Sequence, residues 1–183
     1  MIDVKEITEY LVWNHFINKN TSHSFLQSWE WGEFQKKQNY QIIRLGVYNN
    51  QKMSAIALVI KIKSRRGNFL FIPHGPVVEN NAQIKIILKN LLKYLKRLAK
   101  EDSFSFIRIA PIIEDSENNR KLFCDFGFKT APIYMHAERT WVLDLNKSED
   151  VLLSEMRKTT RYLVKRADRE GVVIEQRTDA KAF

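Results

Sequence analysis

Residues 82–100 (AQIKIILKNLLKYLKRLAK) constrain the fold more than any other stretch of this 183-residue chain. Ile84, Ile87, Leu88, Leu91, Leu95 and Leu98 recur at three- and four-residue spacing, with lysines opposite, which predicts an amphipathic helix. A helix with one apolar side must bury it against another layer. Flanking runs rich in β-branched and aromatic residues supply that layer. Residues 41–48 (QIIRLGVY) read as a strand, Asn49-Asn50 as a hairpin turn and residues 52–63 as the returning partner. A third strand over 68–72 ends at Pro73-His74-Gly75-Pro76, and a buried strand over 104–109 is halted by Pro111.

The remaining elements follow the same logic. Helices are expected over 3–18, over 28–37 with Trp29, Trp31 and Phe34, and over 116–126, closed by Gly127. Further strands are expected over 128–133, 138–145 and 172–176. The order α-α-β-β-β-α-β-α-β-β-α-β predicts an α/β (α+β) fold, a mixed sheet flanked by helices, with residues 1–176 as one domain. Residues 177–183 resemble the start of a further element or a linker.

A helix dense in Arg and Lys precedes the last expected strand. Ser148 is placed to cap it, Glu149 and Asp150 complement its dipole, and Gly171 supplies the stop. Leu152, Met156, Thr159, Leu163 and Ala167 share one face, and Arg157, Arg161 and Lys165 recur at i, i+4 on another. Few acids lie nearby, and the planar fork of Arg suits phosphate and carboxylate, so the ridge points to an anionic ligand. A solvated charged face is the bland alternative.

The net charge of +9 also favours anionic partners such as RNA, nucleotide-linked substrates or phospholipid headgroups. The single cysteine, Cys124, excludes an internal disulfide and a multi-cysteine metal site, and beside Phe123 and Phe126 it reads as a small buried hydrophobe. Neither a signal peptide nor an apolar run of bilayer length is visible, which predicts a cytoplasmic chain, compatible with peripheral contact at the inner membrane face. No metal-spaced set, paired carboxylates or Ser-His-Asp arrangement stands out. His15, His23 and His136 read as surface or capping residues. Trp29 and Trp31, two apart on a helix, cannot share a face, so at most one is core and the other lines a cleft or is exposed.

The order of elements resembles the GNAT acyltransferase architecture, whose ordinary members cradle acyl-CoA pyrophosphate on a glycine-rich loop opening the long helix. Here that junction reads FIPHGPVVENNAQIK, without such a loop. Four segments, FLQSWEWGEFQK, FIPHGPVVE, GFKTAPIYMHAERTWVLDL and the helix ending KRADREGVVIE, resemble in order the Fem family of peptidoglycan-bridge aminoacyltransferases (FemA, FemB, FemX). Members carry two tandem GNAT-like units, and this chain resembles the first.

The resemblance implies transfer of an amino acid from aminoacyl-tRNA to an amine of a UDP- or lipid-linked muramyl peptide, with no metal or CoA and with a second GNAT-like unit expected. It implies that Lys36, or Lys37 one position on, and Arg161 contact the diphosphate or uridine diphosphate. Trp31 walls the same cleft, and the turn containing His74 and Gly75 shapes its floor. Arg157, Lys158 and Lys165 add to the field or meet RNA phosphates. His74 stands where the family turn commonly has Arg, and no catalytic residue is assigned. The rival readings are an acyl-CoA-dependent GNAT N-acyltransferase and a non-catalytic basic module that binds RNA or a membrane surface.

Overall fold

The computed structural model describes residues 2–20, 23–65, 67–137 and 142–175. In chain order these form β1 (Ile2–Glu6), α1 (Tyr10–Lys19), a 3-10 turn (Phe25–Gln27), α2 (Trp29–Lys37), β2 (Gln41–Asn49) and β3 (Lys52–Ile62). There follow β4 (Phe69–Pro73), β5 (Val77–Val78), α3 (Ile84–Glu101), β6 (Phe106–Ala110), α4 (Glu117–Asp125), α5 (Glu149–Glu155) and α6 (Lys158–Arg169). They group into two compact units, Met1–His136 and Ala137–Phe183. The first holds the mixed sheet expected from the sequence.

The sheet is built around the β2–β3 hairpin, closed by Asn50 and Gln51 in left-handed conformations. Strand order is β1-β2-β3-β4-β6, antiparallel except for the parallel β4–β6 pair, with β5 also on β3. A parallel pair needs a crossover, and α3 provides it. Ile87, Leu91 and Leu95 of α3 pack on Leu45, Val47, Ala57 and Val59, on one side of the sheet. On the other side Trp13, Phe16 and Ile17 of α1 cover Ile56, Leu58, Ile60 and Phe71. With both faces covered, β3 is buried without a break from Ser54 to Ile60.

Several expected elements differ. The helix expected over 3–18 is β1 followed by α1. Ile2 and Val4 alternate with the exposed ion pair Asp3–Lys5, a period of two that suits pairing with β2. Residues 128–133 are not a strand, because Pro132 lacks an amide proton and the guanidinium of Arg108 takes the Ile133 carbonyl that a ladder would use. Of the strand expected over 138–145, residues 138–141 lie outside the described residues and 142–145 are not extended into a ladder. Residues 172–175 do not form a strand, and Gln176 and residues 177–183 lie outside the described residues. Cys124 is exposed, since the inward side of α4 is taken by Leu122, Phe123 and Phe126.

In the second unit the basic helix is two helices. Met156 and Arg157 are extended (ψ 150° and 144°), and the guanidinium of Arg161 donates to the Ser154 and Leu153 carbonyls at 2.8 and 3.4 Å. A side chain thus satisfies carbonyls that a continuous helix would have bonded through its own amides. Ser148 sits at the N-cap of α5 without a side-chain cap bond, and Gly171 (φ 76°) closes α6 as expected. Leu163 and Thr159 are exposed, so the face expected to be packed is only partly covered.

Because Leu91 is fully buried at the centre of the α3–sheet contact, Leu91→Ala should lower the unfolding free energy by about 2–5 kcal/mol, read from urea denaturation.

Candidate substrate-binding site

The Pro73–Pro76 segment interrupts the strand that runs beside β3. Before it, Ile60 pairs with Phe71 and Ile62 with Phe69; after it, Ile56 pairs with Val77 and Ala55 with Val78. Extending the first register puts Leu58 opposite Pro73, yet the side chain of Gln27 stands between them. Its Oε1 accepts from the Leu58 amide at 2.8 Å and its Nε2 donates to the Pro73 carbonyl at 2.5 Å. The backbone carbonyl of Gln27 accepts from the Trp13 indole at 2.9 Å. Gln27 is fully buried, and its carboxamide replaces the missing ladder bond. Gly75 leaves room for it: a Cβ there would lie 2.8 Å from Gln27 Cδ and Nε2.

The turn that this wedge opens carries His74 in a left-handed conformation (φ 47°), and the Gly75–Pro76 peptide is cis. Ser24 Oγ lies 2.8 Å from His74 Nδ1 and accepts from the Leu26 amide, so its hydroxyl is free to donate to the ring. The His74 ring meets His136 edge-on, with centroids 5.8 Å apart, and His136 stacks on Phe71 at 5.5 Å. Burial lowers the affinity of both rings for a proton, and for His136 the proximity of His74 adds to it. His74 is therefore neutral near pH 7 and does not reproduce the permanent cation of an arginine. His136, expected at the surface, is half-buried against the turn.

From the same 3-10 turn the chain enters α2, where the Ser28 hydroxyl caps the Trp31 amide at 3.0 Å. Trp31 stacks on Phe34 (5.1 Å) and meets Phe25 edge-on (5.3 Å), and its buried indole N–H has no partner among the described residues. Phe25 and Phe34 are exposed, so this aromatic cluster opens to solvent. Trp29 and Trp31 are both half-buried; neither is a core residue. Farther along α2, Lys36 Nζ lies 3.0 Å from Glu33 Oε1, the same oxygen that takes Arg44 Nη2 at 2.9 Å. The Lys36 bond is the main cause that holds the Glu33 carboxyl below its ordinary range.

Sequence reasoning missed Arg44 and Gln27. The Arg44 guanidinium is buried, lies 3.6 Å from the centre of the Trp29 ring and donates to the Trp29 carbonyl at 2.7 Å. Gly32 makes room for it, since a Cβ there would lie 2.4 Å from Arg44 Nη2. A polar Gln-Ser pair immediately before an aromatic helix was the available signal for Gln27; an Arg inside an apolar strand was the signal for Arg44.

The structure thus brings Trp31, His74 and Gly75 together around the Phe25–Gln27 turn, with Lys36 two turns into α2. Arg157, Arg161 and Lys165 belong to the second unit, Arg157 at the start of α6 and the other two along it. Among the described residues no group of three His, Cys, Asp or Glu is placed to hold a metal ion.

A model of the FemAB family matches residues 8–124, more than half of the chain, including Gln27, Trp31, Lys36, His74 and Gly75. The chain belongs to the FemAB family. It is 24% identical over 172 residues to the lipid II:glycine glycyltransferases of two Staphylococcus epidermidis strains, covering 88% of this chain and 41% of theirs. The FemX crystal structure superposes with a TM-score of 0.74 at 21% identity, over 98% of this chain and 46% of that one. A ribosomal-protein-alanine N-acetyltransferase from Brucella melitensis biovar Abortus 2308 shares the fold at a TM-score of 0.51 and 16% identity, over 76% of this chain and 100% of that one. The FemAB chain described here therefore has a GNAT-like fold and spans about two fifths of the curated relatives it matches.

Two outcomes follow from the turn. Gly75→Ala should push the Gln27 carboxamide off its two buried partners and cost about 2–6 kcal/mol of stability in urea melts, about 1–3 for each group left unpaired. Folding favours the neutral forms of His74 and His136, so the unfolded chain takes up protons first on acidification. Stability should be full above about pH 6.5 and fall below it, towards the lowered folded values. Replacing both histidines with Asn should flatten that decline in melts run from pH 7.5 to 5.

Proposed function

We propose that this FemAB chain is the precursor-holding unit of an aminoacyltransferase of peptidoglycan bridge synthesis. Residues 1–176 correspond to the first GNAT-like unit, and a second unit completes the enzyme. The acceptor is a muramyl peptide carried on a diphosphate, in its lipid-linked form as the name of the lipid II:glycine glycyltransferases indicates for those proteins, and aminoacyl-tRNA is the donor.

The observation that carries this reading is the FemAB match across the Gln27-wedged turn and the aromatic start of α2. The turn supplies a fixed floor, the Phe25–Trp31–Phe34 cluster an aromatic wall, and Lys36 a cation for diphosphate. Arg157, Arg161 and Lys165, within Ala137–Phe183, are assigned by themselves to an anionic group, a diphosphate or the phosphates of donor RNA. In the transfer an acceptor amine attacks the aminoacyl ester carbonyl, a C–N bond forms, and the ester oxygen leaves with the tRNA ribose. What such a unit contributes is orientation of the acceptor.

An acyl-CoA reading loses support at the start of α3. There Asn80 Oδ1 takes the Ala82 amide at 2.9 Å and the Asn80 carbonyl takes the Gln83 amide at 3.0 Å, so two donors that would face a pyrophosphate are engaged.

Titration calorimetry with a UDP-muramyl-pentapeptide tests the proposal. Binding should be measurable and should weaken about tenfold on Trp31→Ala, the loss of roughly one aromatic contact. Lys36→Ala should weaken it further at low salt than at high salt. A folded chain that ignores the precursor, or that binds it equally well without Trp31 and Lys36, would falsify the site.

A further inference from the structure

Helix α3 carries Lys85, Lys89, Lys93, Lys96, Arg97 and Lys100, all exposed, against a single acid, Glu101. Arg97 lies 3.7 Å from Glu101 and over the Tyr94 ring at 5.2 Å. The five lysines make no ion pair or hydrogen bond with a described residue. Spacing of three and four residues lines these charges along one side, and Lys85 to Lys100 spans about 22 Å at 1.5 Å per residue. The apolar side of α3 is committed to the core, with Ile87, Leu88, Leu91 and Leu95 buried, so the helix cannot insert into anything. What it offers is a straight, rigid row of cations with Ile86 exposed beside it.

We infer that the outer face of α3 docks the protein on an anionic phospholipid surface. Neighbouring lysines lie closer together than the screening length of about 8 Å at physiological salt, so their potentials add. Five lysines to one arginine suit diffuse attraction to a field of headgroups; discrete phosphate forks of the kind that bind RNA are made mostly by arginine. No described helix is long and apolar enough to cross a bilayer.

Topology links this face to the candidate site. Strands β4 and β6 run parallel, so α3 must return the chain in the opposite sense, and it starts at the end of the sheet where β4 finishes at Pro73. The first lysines, Lys85 and Lys89, therefore lie at the end that carries the His74 turn. A bilayer against α3 lies on the opposite side of the sheet from α1 and α2, so a lipid-linked diphosphate would reach the site around the end that carries the His74 turn. In that respect the inference rests on the acceptor proposed above.

Sedimentation with vesicles tests it, using the full chain and the triple variant Lys89→Glu, Lys93→Glu, Lys96→Glu. Vesicles with about 30% phosphatidylglycerol should capture the wild type, and pure phosphatidylcholine vesicles should not. The triple variant should lose about tenfold or more of that partitioning, and added salt should do the same to the wild type. Equal capture by neutral and anionic vesicles, or undiminished capture of the triple variant, would overturn the inference, as would tighter binding to duplex RNA than to the anionic vesicles. The soluble UDP-muramyl-pentapeptide separates the two proposals. The variant should bind it as the wild type does, and failure of both proteins to bind it would refute the acceptor assignment while leaving the vesicle result standing.

Discussion

Everything around the candidate site depends on the Gln27 carboxamide wedged between β3 and the end of β4. A ladder that opens inside a core leaves a buried amide and a buried carbonyl without partners, each a cost of about 1–3 kcal/mol. The Gln27 side chain satisfies both, the Leu58 amide and the Pro73 carbonyl, and so makes the opening tolerable. Its own backbone is fixed by Trp13, which ties α1 to the same point. With the strand held apart, Pro73–Pro76 can turn out of the sheet and carry His74, and the 3-10 turn that supplies Gln27 also sets the direction of α2. One buried amide therefore sets both the Pro73–Pro76 turn and the entry to α2.

Burial sorts the cations of this chain into two kinds. Arg44 is enclosed, and desolvation is the dominant influence on it; Glu33 and the Trp29 carbonyl and ring compensate. Glu33 cannot serve Arg44 fully while it also holds Lys36, and the two donors share one oxygen. On the proposed function, an anion arriving at Lys36 would compete with that carboxylate, and Arg44 would keep Glu33 in place as Lys36 turned away. The lysines of α3 face the opposite situation: hydrated, unpaired and numerous, they act through summed potential alone.

The parts of the fold legible in the sequence were those with strong local patterns. The i, i+3, i+4 apolar series of α3 and the hairpin needed no distant information, although its turn, expected at Asn49-Asn50, falls one residue on at Asn50-Gln51. Ser28 before α2 and Gly171 after α6 likewise acted where their residue types predict. The failures have a common cause, a long-range partner that overrides local pattern. Residues 2–6 alternate weakly and merge with the following helix until β2 is present to pair with them. Residues 128–133 have strand composition, but Arg108 takes a carbonyl that the strand would need. The basic helix breaks because Arg161 reaches back to the end of α5. Trp31, His74 and Gly75 were singled out through motif, and their gathering around the Phe25–Gln27 turn was not legible; Gln27 and Arg44 were overlooked because a polar residue in or beside an apolar run carries little meaning until its partners are known.

The start of α3 shows how one architecture can serve different anions. In a GNAT enzyme of the ordinary kind, glycines before the long helix expose backbone amides that cradle pyrophosphate. Here Asn80 engages two of those amides, and the intervening turn has no glycine beyond Gly75, which is committed to Gln27. On the proposed function, anion recognition comes from side chains, which are longer and softer than a peptide cradle but can be distributed over a wider surface. A substrate consisting of a diphosphate between a sugar peptide and a lipid is extended in just that way. A lysine on α2 and a cationic face on α3 would meet its two environments separately, the diphosphate in the cleft and the headgroup field outside it.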